Sequence, residues 1–409
     1  MINEQLQEKL LEVFDKRFQD YNTKVLEELG NVIKQFKDLT PSQAYALGQQ
    51  LKYNTTIKDL LNELSKISGM SVEDLKKVLE RVAKENIGFA DVYYKSRGLE
   101  TPIYSENKTL QRLVNSVYKV AGEEFKNISK TTGFRLLDNN GNSLLLDIDK
   151  TYKEVIDRCV VSISQGKETY QQAMRSTLKQ LSSSGVRKLE FESGYSRRLD
   201  SSVRMNILDS IRQVSNESQQ LFGEEFGADM VEISTHEHPA SDHLMQGRQF
   251  LIEEYNKLQN GENAKDLQGK IWNLDHNKDG NFRPISTMSC YHYVFSGIAG
   301  VSKPQYSNEQ LQKIIDDNNK GAELDGKHYT TYELSQIMRQ LETKIREQKD
   351  LQILARSSDD KDLILQAQTK ITQLTNKYKQ VVKIIGLPNQ LSTRASVSGY
   401  RRISKKKLI

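Results

Sequence analysis

The sequence predicts an α+β fold that is predominantly helical, and three observations carry that prediction. Of 409 residues, 28% are charged and only six are proline, and the mean hydropathy is −0.65. With its many Leu, Lys, Gln and Glu residues, this is the composition of a helix-rich soluble chain rather than an all-β one. Apolar residues recur at steps of three and four along much of the chain, and short alternating runs bounded by glycine interrupt the helical pattern near the middle. The length suits two or three domains. The expected order is an N-terminal helical bundle (1–98), a central α+β region with a small sheet (99–320), a helical hairpin or coiled-coil arm (321–390) and a basic, disordered tail (391–409).

The first hundred residues read as short helices with start signals. In "LTPSQAYALGQQL" Thr40 caps, Pro41 fits the first turn and Gln43 completes a capping box. "MSVEDLKKVLERVAKEN" repeats the pattern with Ser71 as cap and Asp74 three residues on, and Leu75, Val78, Leu79 and Val82 mark one apolar face. "TLQRLVNSVYKVAGEEF" (109–125) is helical by period. "GFRLLDNNGNSLLLDI" (133–148) is a hairpin, because Asn140-Gly141 supplies the positive φ of a tight turn. Two helix-to-strand units follow. One helix ends at Gly185 before "VRKLEFE", and a longer one ends near Gly227 before "DMVEIST". All these strands are expected in one small sheet. Beyond 331, Leu334, Met338, Leu341 and Ile345, then Ala367, Ile371, Leu374, Tyr378 and Val381, fall on two helical stripes. The polar break "SSDDKD" (357–362) separates them.

Several function classes are excluded at this level. The longest apolar runs are a few residues, such as Leu144–Leu146, so no segment can span a membrane. The start "MINEQLQEKLLEVF" reads as an amphipathic helix rather than a signal peptide. Cys159 and Cys290 lie far apart, which argues against a disulfide framework and for synthesis in a reducing cytoplasm. Net charge is only +5, so its distribution matters more than its sum. No Gly-rich phosphate loop and no Gly-x-Ser-x-Gly elbow occurs.

Four features could carry chemistry. "STHEHPASDHLMQG" (234–247) holds three of the six histidines, His236, His238 and His243. With Cys290 and His292 of "SCYHY", His236 and His243 could supply four zinc ligands. The spacing matches no common structural zinc pattern, so the favoured reading is a hydrogen-bonded corner around a buried thiol, with zinc as the alternative and no cofactor expected. In "LDHNKDGNF", Asp275, Asn277, Asp279 and Gly280 imitate the first half of a calcium loop. Position twelve, however, is Ser286 rather than the closing glutamate, so a plain tight loop is expected. A nuclease-like reading of His276 with "SCYHY" lacks paired acidic ligands. Finally, Arg394, Arg401, Arg402, Lys405, Lys406 and Lys407 stand without acidic neighbours in the last residues. They would contact phosphates non-specifically, with Tyr400 available for stacking.

The order of these pieces resembles the phage minor capsid protein 2 family of tailed bacteriophages of Gram-positive hosts. The resemblance runs through "SISQGKETYQQAMRSTLKQLSSSGVRKLEFESGYSRRLDSSVRMNIL". It continues in "VEISTHEHPASDHLMQGRQF", with His236, His243, Gln246, Gly247 and Phe250 as landmarks, and in "SCYHYVFSG" and "PQYSNEQL". It covers roughly 100–320 and, more loosely, the N-terminal helices. It implies a minor structural component of the phage head, made in the host bacterial cytoplasm and similar in role to the minor head proteins of Mu-type phages. Such a protein would sit inside the capsid near the portal and assist assembly and DNA packaging or delivery. The portal or major capsid protein would be its partner, with packaged DNA as a non-specific contact.

The chain departs from the family pattern in places. "ASD" (240–242) replaces Arg-Pro before the second histidine, Met245 replaces an aromatic residue, Ser289 replaces Asn and Tyr291 replaces Arg. Those changes remove charged and amide groups that a catalytic site would use, and they leave His236, His243, Cys290 and His292. A non-enzymatic structural role is therefore expected. A metal-dependent hydrolase or effector enzyme carried in the virion, and a DNA-binding accessory protein acting through the tail, are the alternatives.

Overall fold

The computed structural model describes residues 4–138, 140–190, 192–235, 239, 244–273, 284–286, 290, 292–386 and 389–403. The chain is mostly helical, 66%, with small antiparallel sheets. Its elements run α1 (Glu4–Gln35), α2 (Pro41–Lys52), α3 (Thr56–Ser96), α4 (Lys108–Thr131), β1 (Thr132–Leu137), β2 (Ser143–Asp147), α5 (Ile148–Ser164) and α6 (Lys167–Ser184). They continue with β3 (Arg187–Leu189), β4 (Ser196–Arg198), α7 (Leu199–Phe226), β5 (Met230–Ile233), β6 (Gln249–Leu251), α8 (Ile252–Gln259), β7 (Ala264–Lys265) and β8 (Ile271–Trp272). The last are β9 (Val294–Gly297), α9 (Asn308–Lys320), β10 (Ala322–Leu324), β11 (Lys327–Tyr329), α10 (Thr331–Ser357), α11 (Lys361–Ile385) and α12 (Leu391–Arg394).

The predicted helix signals are mostly realised. Thr40 and Gln43 form the reciprocal capping box of α2 with Pro41 in the first turn, and Gly185 ends α6 at φ +59. Ser71 is different. It is buried within the unbroken 41-residue α3, and its hydroxyl donates to the Ile67 carbonyl at 2.8 Å. A serine can bond its own helix as readily as cap a new one, so the expected short helices here are one long helix.

The expected single sheet is also corrected. The described strands form a four-stranded sheet ordered β2-β1-β3-β4, a three-stranded sheet ordered β6-β5-β9, and two ribbons, β7-β8 and β10-β11. The predicted hairpin is β1-β2, with Gly141 at φ +82 in its turn and Leu136 opposite Leu144. Gly133 is required in it, because a Cβ there would fall 1.9 Å from the Leu146 carbonyl oxygen.

The chain packs as two compact units. The first comprises Met1–Leu10, Val72–Gly122 and Met205–Gln336, and the second comprises Leu11–Ser71, Glu123–Arg204 and Ile337–Ile409.

In the second unit, α2 lies close on α5 because Gly48 leaves room for Ile156 and Val160. Phe14, Phe18, Tyr21, Phe125 and Phe134 fill its core. Buried charges cross that core. Arg198 binds Asp350 at 2.8 Å, Asp350 also accepts from Asn22 at 3.1 Å, and Arg346 binds Asp200 at 3.1 Å. The helix pair α10–α11 is confirmed, with Asp360 capping α11 and Tyr378 bonding Glu342 across the pair at 3.1 Å. The pair is built into the unit, since Arg175 holds Asp360 and Arg356 holds Glu27.

Residues 391–403 differ from the disorder that their composition suggests. Arg356 donates to the Gly399 carbonyl at 3.1 Å. Gln368 donates to the Ile403 carbonyl at 2.9 Å and accepts its N–H at 2.7 Å. Side chains of α10 and α11 thus supply partners for the segment's backbone, a source of order that charge and apolar content do not reveal.

Candidate functional site

The candidate site lies in the first unit, where β5 ends. Val231 and Ile233 of β5 pack into a core with Met245, Phe250, Leu258 and Trp272. β9 is held beside β5 in the register Ile233↔Val294, and Phe295 of β9 meets Phe89 of α3 with ring centroids 5.3 Å apart. Asn216 of α7 accepts the Val294 N–H at 3.0 Å, and Gln7 of α1 donates to the Tyr293 hydroxyl at 2.7 Å. Burial pushes the Tyr293 phenol up to about 12, so it stays a neutral hydroxyl.

Beyond β5 the pairing continues by one residue. Ser234 N–H donates to the Tyr293 carbonyl at 2.8 Å, and Tyr293 N–H donates to Ser234 Oγ at 2.8 Å. On the other side of β5, Gly247 N–H donates to the Ile233 carbonyl at 2.9 Å, and Ile233 N–H donates to the Arg248 carbonyl at 3.1 Å. Gln246 and His292 are therefore delivered to the same end of β5. Gly247 must be glycine twice over. Its φ is +73, and a Cβ would fall 2.4 Å from Leu311 Cδ2 and 2.7 Å from Thr235 Oγ1.

Three side chains meet there in a row. His292 Nε2 lies 3.3 Å from Gln246 Oε1, and His292 Nδ1 lies 3.4 Å from Cys290 Sγ. The amide oxygen can only accept, so Nε2 carries the proton, and in the neutral ring the Nδ1 lone pair faces the sulfur. Ser286 N–H donates to Cys290 Sγ at 3.3 Å from a backbone held at φ +68, a conformation that costs a serine energy. Cys290 is 1% exposed and His292 6%. Neither presents a reactive atom to solvent, which suits a structural corner or a closed metal site better than an open catalytic one.

The structure thus brings Gln246, Gly247, Cys290 and His292 together. His236, His238, His243 and His276 lie outside the described residues, as do Asp275, Asn277 and Asp279 of the calcium-like loop. Among the described residues no three His, Cys, Asp or Glu side chains form a metal-holding group. Of the tail cations, Arg394 is half-buried and Arg401 and Arg402 are exposed, while Lys405, Lys406 and Lys407 lie outside the described residues.

Other residues that support the corner were not singled out in the sequence. Gln259 of α8 grips Ile285 at both backbone atoms, accepting its N–H at 2.7 Å and donating to its carbonyl at 2.9 Å. Arg248, 5% exposed, lies over the Trp272 ring at 5.3 Å, and the Trp272 indole donates to Asp266 at 2.8 Å. Asp266 also accepts the Gln268 and Lys270 N–H groups, closing the β7–β8 turn. The single tryptophan, a few residues after Asp266-x-x-Gly269, was the available signal. Glu232 of β5 accepts from Gln249 at 2.8 Å and from Gln305 N–H at 3.2 Å. Burial nonetheless raises its carboxyl above the ordinary value.

The largest cleft among the described residues, about 740 Å³, belongs to the second unit and is lined by Tyr170, Met174, Arg175 and Asp359–Asp362. It holds no histidine or cysteine. In comparison with known proteins, residues 3–383 match the family described as phage minor capsid protein 2. No characterised protein and no solved structure matches the chain.

Proposed function

Because the chain belongs to the phage minor capsid protein 2 family, a family of structural components of the phage head, we propose that it acts inside the capsid near the portal, without enzymatic activity, assisting head assembly and DNA packaging or delivery. The carrying observation is the family match along residues 3–383, which takes in both units and the corner. Its partners in this reading are the portal or the major capsid protein. Burial of Cys290 and His292 supports a bracing rather than a catalytic role for the corner. The exposed guanidinium groups of Arg401 and Arg402 are suited to non-specific contact with packaged DNA.

Mass spectrometry of purified particles, combined with cross-linking, tests this reading. The chain is expected in mature particles, with cross-links to the portal or major capsid protein. Its absence from particles would sink the proposal, and cross-links confined to the outer surface would remove its interior placement.

A further inference from the structure

We propose that Cys290 Sγ and His292 Nδ1 are two ligands of a structural zinc ion. His236 and His243, which lie outside the described residues and are nominated by sequence, supply the other two. The inference does not rest on the proposed role in the particle.

The first argument is spacing. Tetrahedral zinc with Zn–S of about 2.3 Å and Zn–N of about 2.0–2.1 Å has a sulfur-to-nitrogen edge of about 3.6 Å. The observed 3.4 Å is within a few tenths of that edge. The second argument is orientation. Gln246 Oε1 accepts from His292 Nε2, the outer-shell contact that leaves Nδ1 free to ligate. Ser286 N–H, turned by a strained backbone, donates to the sulfur, as is required to hold a thiolate in a buried place.

The third argument is the path of the chain. Ser234 is bonded to Tyr293, and Gln246 is bonded to His292. His236 follows Ser234 by two residues and His243 precedes Gln246 by three. At about 3.6 Å per residue at most, both imidazoles belong to a stretch whose two ends are fixed beside His292. No third ligand joins Cys290 and His292 among the described residues, so completion falls to this stretch. One thiolate with three imidazoles suits zinc, and four protein ligands make a closed, structural site.

The test uses the full chain, loaded with Zn(II), desalted and assayed for metal, with cobalt substitution in parallel. One zinc per chain is expected, and the cobalt form should show a thiolate-to-cobalt charge-transfer band. Cys290→Ser should lose both, while Cys159→Ser, at the other cysteine, should keep both. Gln246→Ala should weaken zinc binding roughly 10–100-fold. Folded wild-type protein that retains no zinc, or a cobalt form without the thiolate band, overturns the proposal. The wild-type spectrum therefore decides the matter even if Cys290→Ser fails to fold. Wild-type cobalt spectra in both His236→Ala and His243→Ala would overturn the four-ligand assignment.

Discussion

The two units bury polar chemistry in opposite ways. In the second unit Arg198, Asp200, Arg346 and Asp350 are formal charges taken out of water and matched against one another. In the first unit the polar row Gln246–His292–Cys290 is satisfied by neutral hydrogen bonds among mostly apolar neighbours. A buried ion pair is stable only while both partners stay, because a widowed charge keeps its full desolvation cost. A neutral row loses only about the worth of its bonds when cut. The difference teaches where each unit is brittle, and the following experiments, from the largest expected effect to the smallest, press on it.

Asp350→Ala leaves Arg198 buried without its partner and should cost about 3–5 kcal/mol in urea unfolding. Replacing both together, Arg198→Met with Asp350→Leu, should recover most of that loss. A double variant no better than the single one would show that the charges are not the reason. Gly247→Ala strains a φ of +73 and forces Leu311 aside, so a loss of about 2 kcal/mol is expected. Gln246→Leu, which cuts one neutral bond in the row, should cost about 1 kcal/mol in metal-free protein. A loss as large as that of Asp350→Ala would erase the contrast.

Acid should separate the units as well. Burial works against ionisation of Asp200, but Arg346 and Arg198 outweigh it and hold the carboxyl below its ordinary value. Its contribution is complete above about pH 4 and is lost as pH falls through the depressed folded value. Glu232 moves the other way, since burial raises it despite its two donors. As pH falls, the folded state takes up that proton before the unfolded one, so this group adds stability until about pH 4.3. Asp200→Asn should therefore flatten the acid loss of stability, and Glu232→Gln should remove the acid gain. Urea midpoints across pH 3–7, about the range of these ordinary values, would show slopes changing in the same direction if this assignment were wrong. The smallest effect is expected at Arg401→Ala with Arg402→Ala. Stability should hold, while the salt dependence of DNA binding should fall by about one unit of slope per lost phosphate contact. An unchanged slope would clear the tail of DNA contact.

Much of the helical framework was legible because its signals are local. Thr40 with Gln43, Gly185 and Asp360 each act within a turn or two of their own position. Ser71 misled because a serine hydroxyl serves a cap and a back-bond equally well. Asp325-Gly326, at φ +53 and +77, turns the β10–β11 ribbon and was readable as a hairpin signal but went unremarked. Sheet membership was not legible, since β3 chooses β1 and β9 chooses β5 across long stretches of chain. At the corner, Gln246, Cys290 and His292 stood out because cysteine and histidine are scarce. Gln259, Ser286 and Arg248 are ordinary residues that gain meaning only from what the fold sets beside them. The segment 391–403 went the same way, its order supplied by Arg356 and Gln368 of distant helices.

The unbroken α3 places a rule on how the sequence can change in length. Asn86 bonds Ser215 and Gln219 of α7, and Phe89 and Tyr93 meet Phe295 and Phe226, all from one face of that helix. One residue added or removed between Val82 and Asn86 would turn that face by about 100° and carry every one of these side chains off its partner. An insertion of seven would return the face to within about 20° of its place. Descendants of this chain can therefore lengthen α3 in whole heptads far more readily than by single residues, so that its length is inherited in steps.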